Sequence, residues 1–162
     1  MKKIARMATH VPVLVRAFDL STGDVLEVGT GYFSTTLLDW LCAISGRKLV
    51  SYETDPQWFE RAKKLQSDYH DIIFVENWDD IPLDQKHWGL AFIDHAPHTR
   101  RSVDIKRLKD KAEYIVAHDT EPEQPPVPTV GATLVVAPGV DSSTPVSPGA
   151  PPVADAGVPL PP

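Results

Sequence analysis

Asp24-Val25-Leu26-Glu27-Val28-Gly29-Thr30-Gly31-Tyr32-Phe33-Ser34 is the stretch on which the reading of this chain turns. Val25, Leu26 and Val28 enclose a single acid in a short apolar run that stops at glycine, the pattern of a buried strand running into a tight turn. Two glycines separated by one residue let the backbone turn sharply and approach a ligand. Ser34 or Thr35 can then cap the first turn of a helix whose apolar residues, Leu37, Leu38, Leu41 and Cys42, continue to Ile44. The unit is strand, glycine loop, helix.

Working outward, the unit repeats. Lys48-Leu49-Val50-Ser51-Tyr52 is too short for a helix and ends at Glu53-Thr54-Asp55-Pro56, where Pro56 suits the first turn of a helix running to about Tyr69. Ile72 to Val75, Leu90 to Ile93 and Tyr114 to Ala117 are further strand candidates, with a helix over Val103 to Ala112 before the last. Upstream, the apolar residues of Val11 to Phe18 recur mostly at helical spacing before the Ser21-Thr22-Gly23 turn. Alternating strands and helices imply α/β architecture: a Rossmann-like three-layer sandwich around an incomplete, mostly parallel sheet.

The composition changes at Pro122. Residues 122–162 hold twelve of the sixteen prolines, no Lys, no Arg and no aromatic residue, and apart from a brief apolar run from Ala132 to Ala137 they lose periodicity. Such a segment buries too little surface to offset its ordering entropy, so residues 1–121 are expected to form one domain and residues 122–162 a disordered tail. The net charge of −6 is spread without a basic block, which gives no support to nucleic-acid binding through a charged face. Cys42 is the one cysteine, so no internal disulfide forms and a reducing cytoplasm is expected; neither a signal segment nor eighteen consecutive apolar residues occur, and no membrane partner is expected.

In an open parallel sheet, ligands bind outside the carboxyl ends of the strands, so the residues that follow each strand carry the chemistry. After the first strand these are Gly29 and Gly31. After the second it is Glu53, twenty-two residues beyond Gly31, placed to accept both hydroxyl hydrogens of a ribose. An adenosine-type ligand follows, against the plainer reading of a strand-to-helix turn with Glu53 capping the next helix.

Through Leu26-Glu27-Val28-Gly29-Thr30-Gly31 and Glu53 the chain resembles the class I S-adenosylmethionine-dependent methyltransferases, over about residues 9 to 121. The resemblance implies that Gly29 and Gly31 lie under the methionine part of S-adenosylmethionine, that Glu53 binds its ribose, and that Glu27 sits near its amino group. It also implies an adenine contact from Asn77 and Trp78. Where the fuller family motif has a third glycine, this chain has Phe33, which makes a dinucleotide pyrophosphate harder to fit.

Phe92-Ile93-Asp94-His95-Ala96-Pro97-His98 after the fourth strand and His118-Asp119 after the fifth should face one crevice. They are similar to the catechol O-methyltransferase-like branch, which implies a divalent metal, Mg²⁺, on Asp94 and Asp119. His95, His98 and His118 would instead favour a softer metal or act as a base toward an acceptor hydroxyl. The resemblance implies methyl transfer to a small-molecule oxygen or nitrogen, with Asp94, His95 and His118 as catalytic candidates.

Family members continue beyond the fifth strand, and here the proline-rich tail follows. The fifth strand is therefore expected to be an exposed edge that invites homodimerisation. Two other readings stay open: a non-catalytic remnant that holds a ligand or partner, and a nicotinamide- or nucleotide-sugar-binding Rossmann protein.

Overall fold

The computed structural model describes residues 8–118 and the backbone of a strand at Ala132–Val136. In chain order the elements are α1 (Val11–Leu20), β1 (Val25–Val28), α2 (Ser34–Ser45), β2 (Leu49–Glu53), α3 (Pro56–Ala62), β3 (His70–Phe74), β4 (Trp88–Ile93), α4 (Arg101–Leu108), β5 (Ala112–His118) and β6 (Ala132–Val136). The sheet order is β3-β2-β1-β4-β5-β6, with the first five strands parallel and β6 antiparallel to β5. The chain runs outward one way from β1 to β3, then returns to the centre and runs outward the other way. The reversal between β1 and β4 opens the crevice in which ligands of this architecture sit.

β1 and β4 are buried at every position, as central parallel strands must be with helices on both faces. Their side chains divide by alternation. Val25, Leu90, Phe92, Tyr114 and Val116 pack with Leu14, Ala17 and Phe18 of α1 and with Leu38 and Cys42 of α2. Leu26, Val28, Ala91, Ile93 and Ile115 face the other way, into Trp78, Ile81, Leu83 and Leu108 of α4. Burial pushes the Cys42 thiol up to about 12, so it behaves as an apolar core residue and not as a nucleophile.

Local signals fix the helix ends. Asp55 caps α3 by accepting from the backbone N–H groups of Gln57 and Trp58, with Pro56 in the first turn. α2 ends at Gly46 in the left-handed region, φ 68°, where glycine carries no Cβ penalty. α3 is shorter than its apolar pattern suggests: it tightens into a 3₁₀ turn at Lys63–Leu65 before the chain extends at Gln66.

One expectation is corrected here: β5 is not the edge of the sheet. Ala132–Val136, inside the segment expected to be a disordered tail, forms β6 and pairs with β5 from Tyr114↔Val136 to His118↔Ala132. On that side the sheet ends at β6, beyond β5. The partner of β5 is the brief apolar run at 132, long enough for a strand once β5 supplies the hydrogen bonds. Among the described residues no helix is long and apolar enough to cross a membrane.

Candidate functional site

The β1–α2 loop owes its path to Gly29. Its φ of +91° lies in the region L side chains avoid, and a Cβ there would stand 2.6 Å from the His95 backbone N and Cα. The loop is thus pressed against the end of β4 and opens toward β2. There Glu53, 5% exposed, gathers it in: one carboxylate oxygen accepts from the Thr30 N–H and hydroxyl, both at 2.8 Å, and the other from the N–H groups of Thr54 and Asp55 at 2.7 and 2.8 Å. Three of these four donors are backbone groups that fix the carboxylate at the cleft wall. The fourth, the Thr30 hydroxyl, is a rotor that a ligand hydroxyl can replace.

Glu27 does not line the cleft. It is fully buried beneath the loop and reaches it through Thr35, which accepts from the Gly31 N–H at 2.8 Å and donates to Glu27 at 3.0 Å. Its other oxygen accepts from Ser51 at 2.7 Å; Ser51 in turn meets His70 at 2.9 Å, and His70 meets Asp39 of α2 at 3.0 Å. A buried polar chain therefore braces the glycine loop against β2, β3 and α2. The Glu27 side chain thus lies beneath the glycine loop and not on the cleft wall.

Burial pushes the Glu27 carboxyl up to about 7, although the hydroxyls of Ser34, Ser51 and Thr35 that face it pull it back. A folded-state acid raised this way contributes stability that is fully present below 4.5 and is lost as pH rises toward about 7. The whole change is at most about 3 kcal/mol. His70 works in the opposite sense below 6.5, because burial lowers its pKa against the pull of Asp39. Glu27→Gln should therefore flatten the fall in urea-unfolding free energy that Glu27 contributes between pH 4.5 and about pH 7. An unchanged slope in the variant would remove Glu27 as its source.

The other rim is built by β4, β5 and the residues before α1. Asp94 meets His118 Nδ1 at 3.1 Å, and His118 Nε2 meets the Thr9 hydroxyl at 3.1 Å. The His10 ring packs edge-on to His118, centroids 4.6 Å apart, and against Phe92. Arg101, 8% exposed, ties the rim together: its guanidinium donates to the carbonyls of Asp94, His95 and His118 and pairs with the Asp94 carboxylate at 3.0 Å. His95 is engaged elsewhere, with Nε2 on Asp104 at 2.8 Å and its ring stacked on Trp78. Burial would raise the Asp104 pKa, but the hydrogen bonds from His95 and Arg107 outweigh it and hold the carboxyl below its ordinary value.

Between the rims lies a cleft of about 370 Å³. Gly29, Gly31, Glu53, Asp94, His95 and His118 all line it, joined by His10 and by Tyr32 and Trp58, which meet edge to face. Asn77 and Trp78 do not. Asn77 is exposed and caps the following turn through Asp79 N, and Trp78 is 6% exposed in the core with its indole N–H on the Ala96 carbonyl. His98 is exposed outside the cleft. Asp119 lies outside the described residues. Sequence reasoning missed His10, whose place here depends on how α1 docks.

No protein-family model matches the sequence, and no curated protein matches it. Solved structures do. An O-methyltransferase from Klebsiella pneumoniae, described as putative, superposes with a TM-score of 0.53 at 16% identity over 74% of this chain and 61% of that one. A methyltransferase from Pyrococcus furiosus gives 0.50 at 16% over 76% and 65%. The methyltransferase domain of METTL16 gives 0.50 at 17% over 66% and 64%. The likeness is one of fold alone, and the chain spans between 61% and 65% of these neighbours' lengths.

Proposed function

We propose that the cleft binds S-adenosylmethionine and that the protein transfers its methyl group to an oxygen or nitrogen of a small-molecule acceptor. The observation that carries the reading is Glu53, a carboxylate fixed by three backbone donors at the end of β2, across the cleft from a glycine loop held open by Gly29. Ribose hydroxyls would take the place of the Thr30 hydroxyl on that carboxylate. Gly31 and Thr30 would lie along the methionine part, and the Trp58 and Tyr32 rings would cover the adenosine end.

The acceptor would enter at the opposite rim. Its lone pair attacks the sulfonium methyl carbon, the carbon–sulfur bond breaks with its electrons passing to sulfur, and the demethylated thioether leaves. Positioning supplies most of the acceleration in such a displacement. Asp94 and His118, already sharing a hydrogen bond, are placed to take the acceptor's proton. His95 is a positioning residue in this scheme, because Asp104 and Trp78 hold its ring. Among the described residues this rim offers two imidazoles and one carboxylate already paired with Arg101, a set that suits the Mg²⁺ implied by the family resemblance poorly.

Calorimetric titration of S-adenosylmethionine and its demethylated product should show binding to the intact chain, and Glu53→Ala should weaken it by about 100-fold, on the order of 3 kcal/mol for charge-assisted bonds to two hydroxyls. No binding to the intact chain would sink the reading. A second reading, a binding protein without turnover, is favoured by the acceptor rim, where the Asp94 carboxylate is already engaged by Arg101 and His118. Binding with no demethylated product across an acceptor panel would select it. Stronger binding of NAD than of S-adenosylmethionine would select a nicotinamide-binding Rossmann protein instead.

A further inference from the structure

We propose that His10, Asp94 and His118 form a site for one divalent transition-metal ion of borderline softness, with Zn²⁺ as its reference member. The three residues come from separate elements, the segment before α1 and the ends of β4 and β5, and converge on the cleft wall. One ligand atom from each lies within 4.8 Å of the others. Bonds of about 2.0 Å to a tetrahedral ion require ligand atoms about 3.3 Å apart, so side-chain rotations on the order of an ångström close the site.

The surroundings already resemble an outer coordination sphere. Thr9 engages His118 Nε2 at 3.1 Å, which suits a tautomer whose Nδ1 lone pair faces Asp94. Nδ1 and the Asp94 oxygen stand 3.1 Å apart, and an ion between them takes the position of the proton they share. Arg101 pairs with the same Asp94 oxygen at 3.0 Å, and its donations to the three carbonyls lock the backbone of both strand ends. That guanidinium also decides which metal fits. It offsets much of the single negative charge, which disfavours hard cations that depend on several anionic oxygens and leaves binding to the two imidazoles. His10 and His118 are 2% and 6% exposed while Asp94 is half-buried, so open coordination positions face the cleft. There a hydroxyl, phenol or carboxylate of the acceptor would complete the sphere, and with the ion bound Asp94 and His118 act as its ligands in place of taking the acceptor's proton. That last consequence rests on the methyltransferase reading; the metal site does not.

The test uses the tag-free full chain, stripped of metal and without S-adenosylmethionine. Co²⁺ should give a saturable 1:1 titration with visible d–d absorption, displaced by Zn²⁺ and not by excess Mg²⁺. His10→Ala and His118→Ala should each weaken binding by about 100-fold or more, and Thr9→Val by about 10-fold. His98→Ala, at an exposed neighbouring histidine, should leave it unchanged. Should an alanine variant unfold, His10→Gln and the Zn²⁺-induced rise in melting temperature of the unaltered chain, absent in His118→Gln, carry the same test. Equal affinity in the His10 variants, or no saturable Co²⁺ binding, overturns the site. A cofactor titration on the same metal-free protein reads the methyltransferase proposal separately, so either can fail alone.

Discussion

Gly89→Ala should leave the chain without a cooperative fold. Gly89 sits in β4, where its N–H donates to the Asp24 carbonyl at 2.9 Å, and a Cβ there would stand 1.5 Å from the Thr22 carbonyl oxygen and 2.6 Å from its carbon. Both obstacles are backbone, so no rotamer change relieves them. The turn into β1 would have to move away from β4, yet Thr22 is also held by Glu113 of β5 through its N–H and its hydroxyl. A loss beyond about 5 kcal/mol is expected, enough to consume the stability of a small domain. Circular dichroism and urea unfolding check it. A variant within about 1 kcal/mol of the parent would mean that the β1–β4 contact is looser than described.

The second large effect belongs to Arg101. Arg101→Met keeps the aliphatic stem and removes the fork that serves three carbonyls and the Asp94 carboxylate. The loss leaves a half-buried carboxylate and buried carbonyls short of donors, and breaking a buried pair from one side costs about 3–5 kcal/mol. Arg101→Lys should recover only part of this, because an ammonium restores charge but cannot span several acceptors in one plane. Unfolding free energies in the order parent, lysine, methionine are the expected result. Lysine matching arginine would show that charge alone matters there.

The glycine loop and Glu53 were legible because their chemistry is local: a strand that stops at glycine and an acid at the end of the next strand declare themselves in a few residues. Asp94 and His118 were legible for a similar reason, since parallel strands put their carboxyl ends on one rim. Glu27 was not, because in a strand buried on both faces an acid can turn toward a cleft or toward a helix, and only the positions of Ser51, His70 and Asp39 decide. Trp78 shows the same ambiguity for an aromatic residue in a loop; the core took it. His10 is invisible in sequence because α1 docking, not spacing, brings it to Asp94. β6 escaped notice because its five residues are diluted among prolines, while its stability comes from a partner strand in another part of the chain.

The antiparallel direction of β6 has a practical consequence for labelling and fusion. Ala132 lies beside His118 at the cleft rim, and Val136 lies beside Tyr114 toward the opposite pole of the sheet. Val136 thus stands on the far side of the sheet from the cleft, so a dye or carrier attached at that residue starts clear of the ligand entrance.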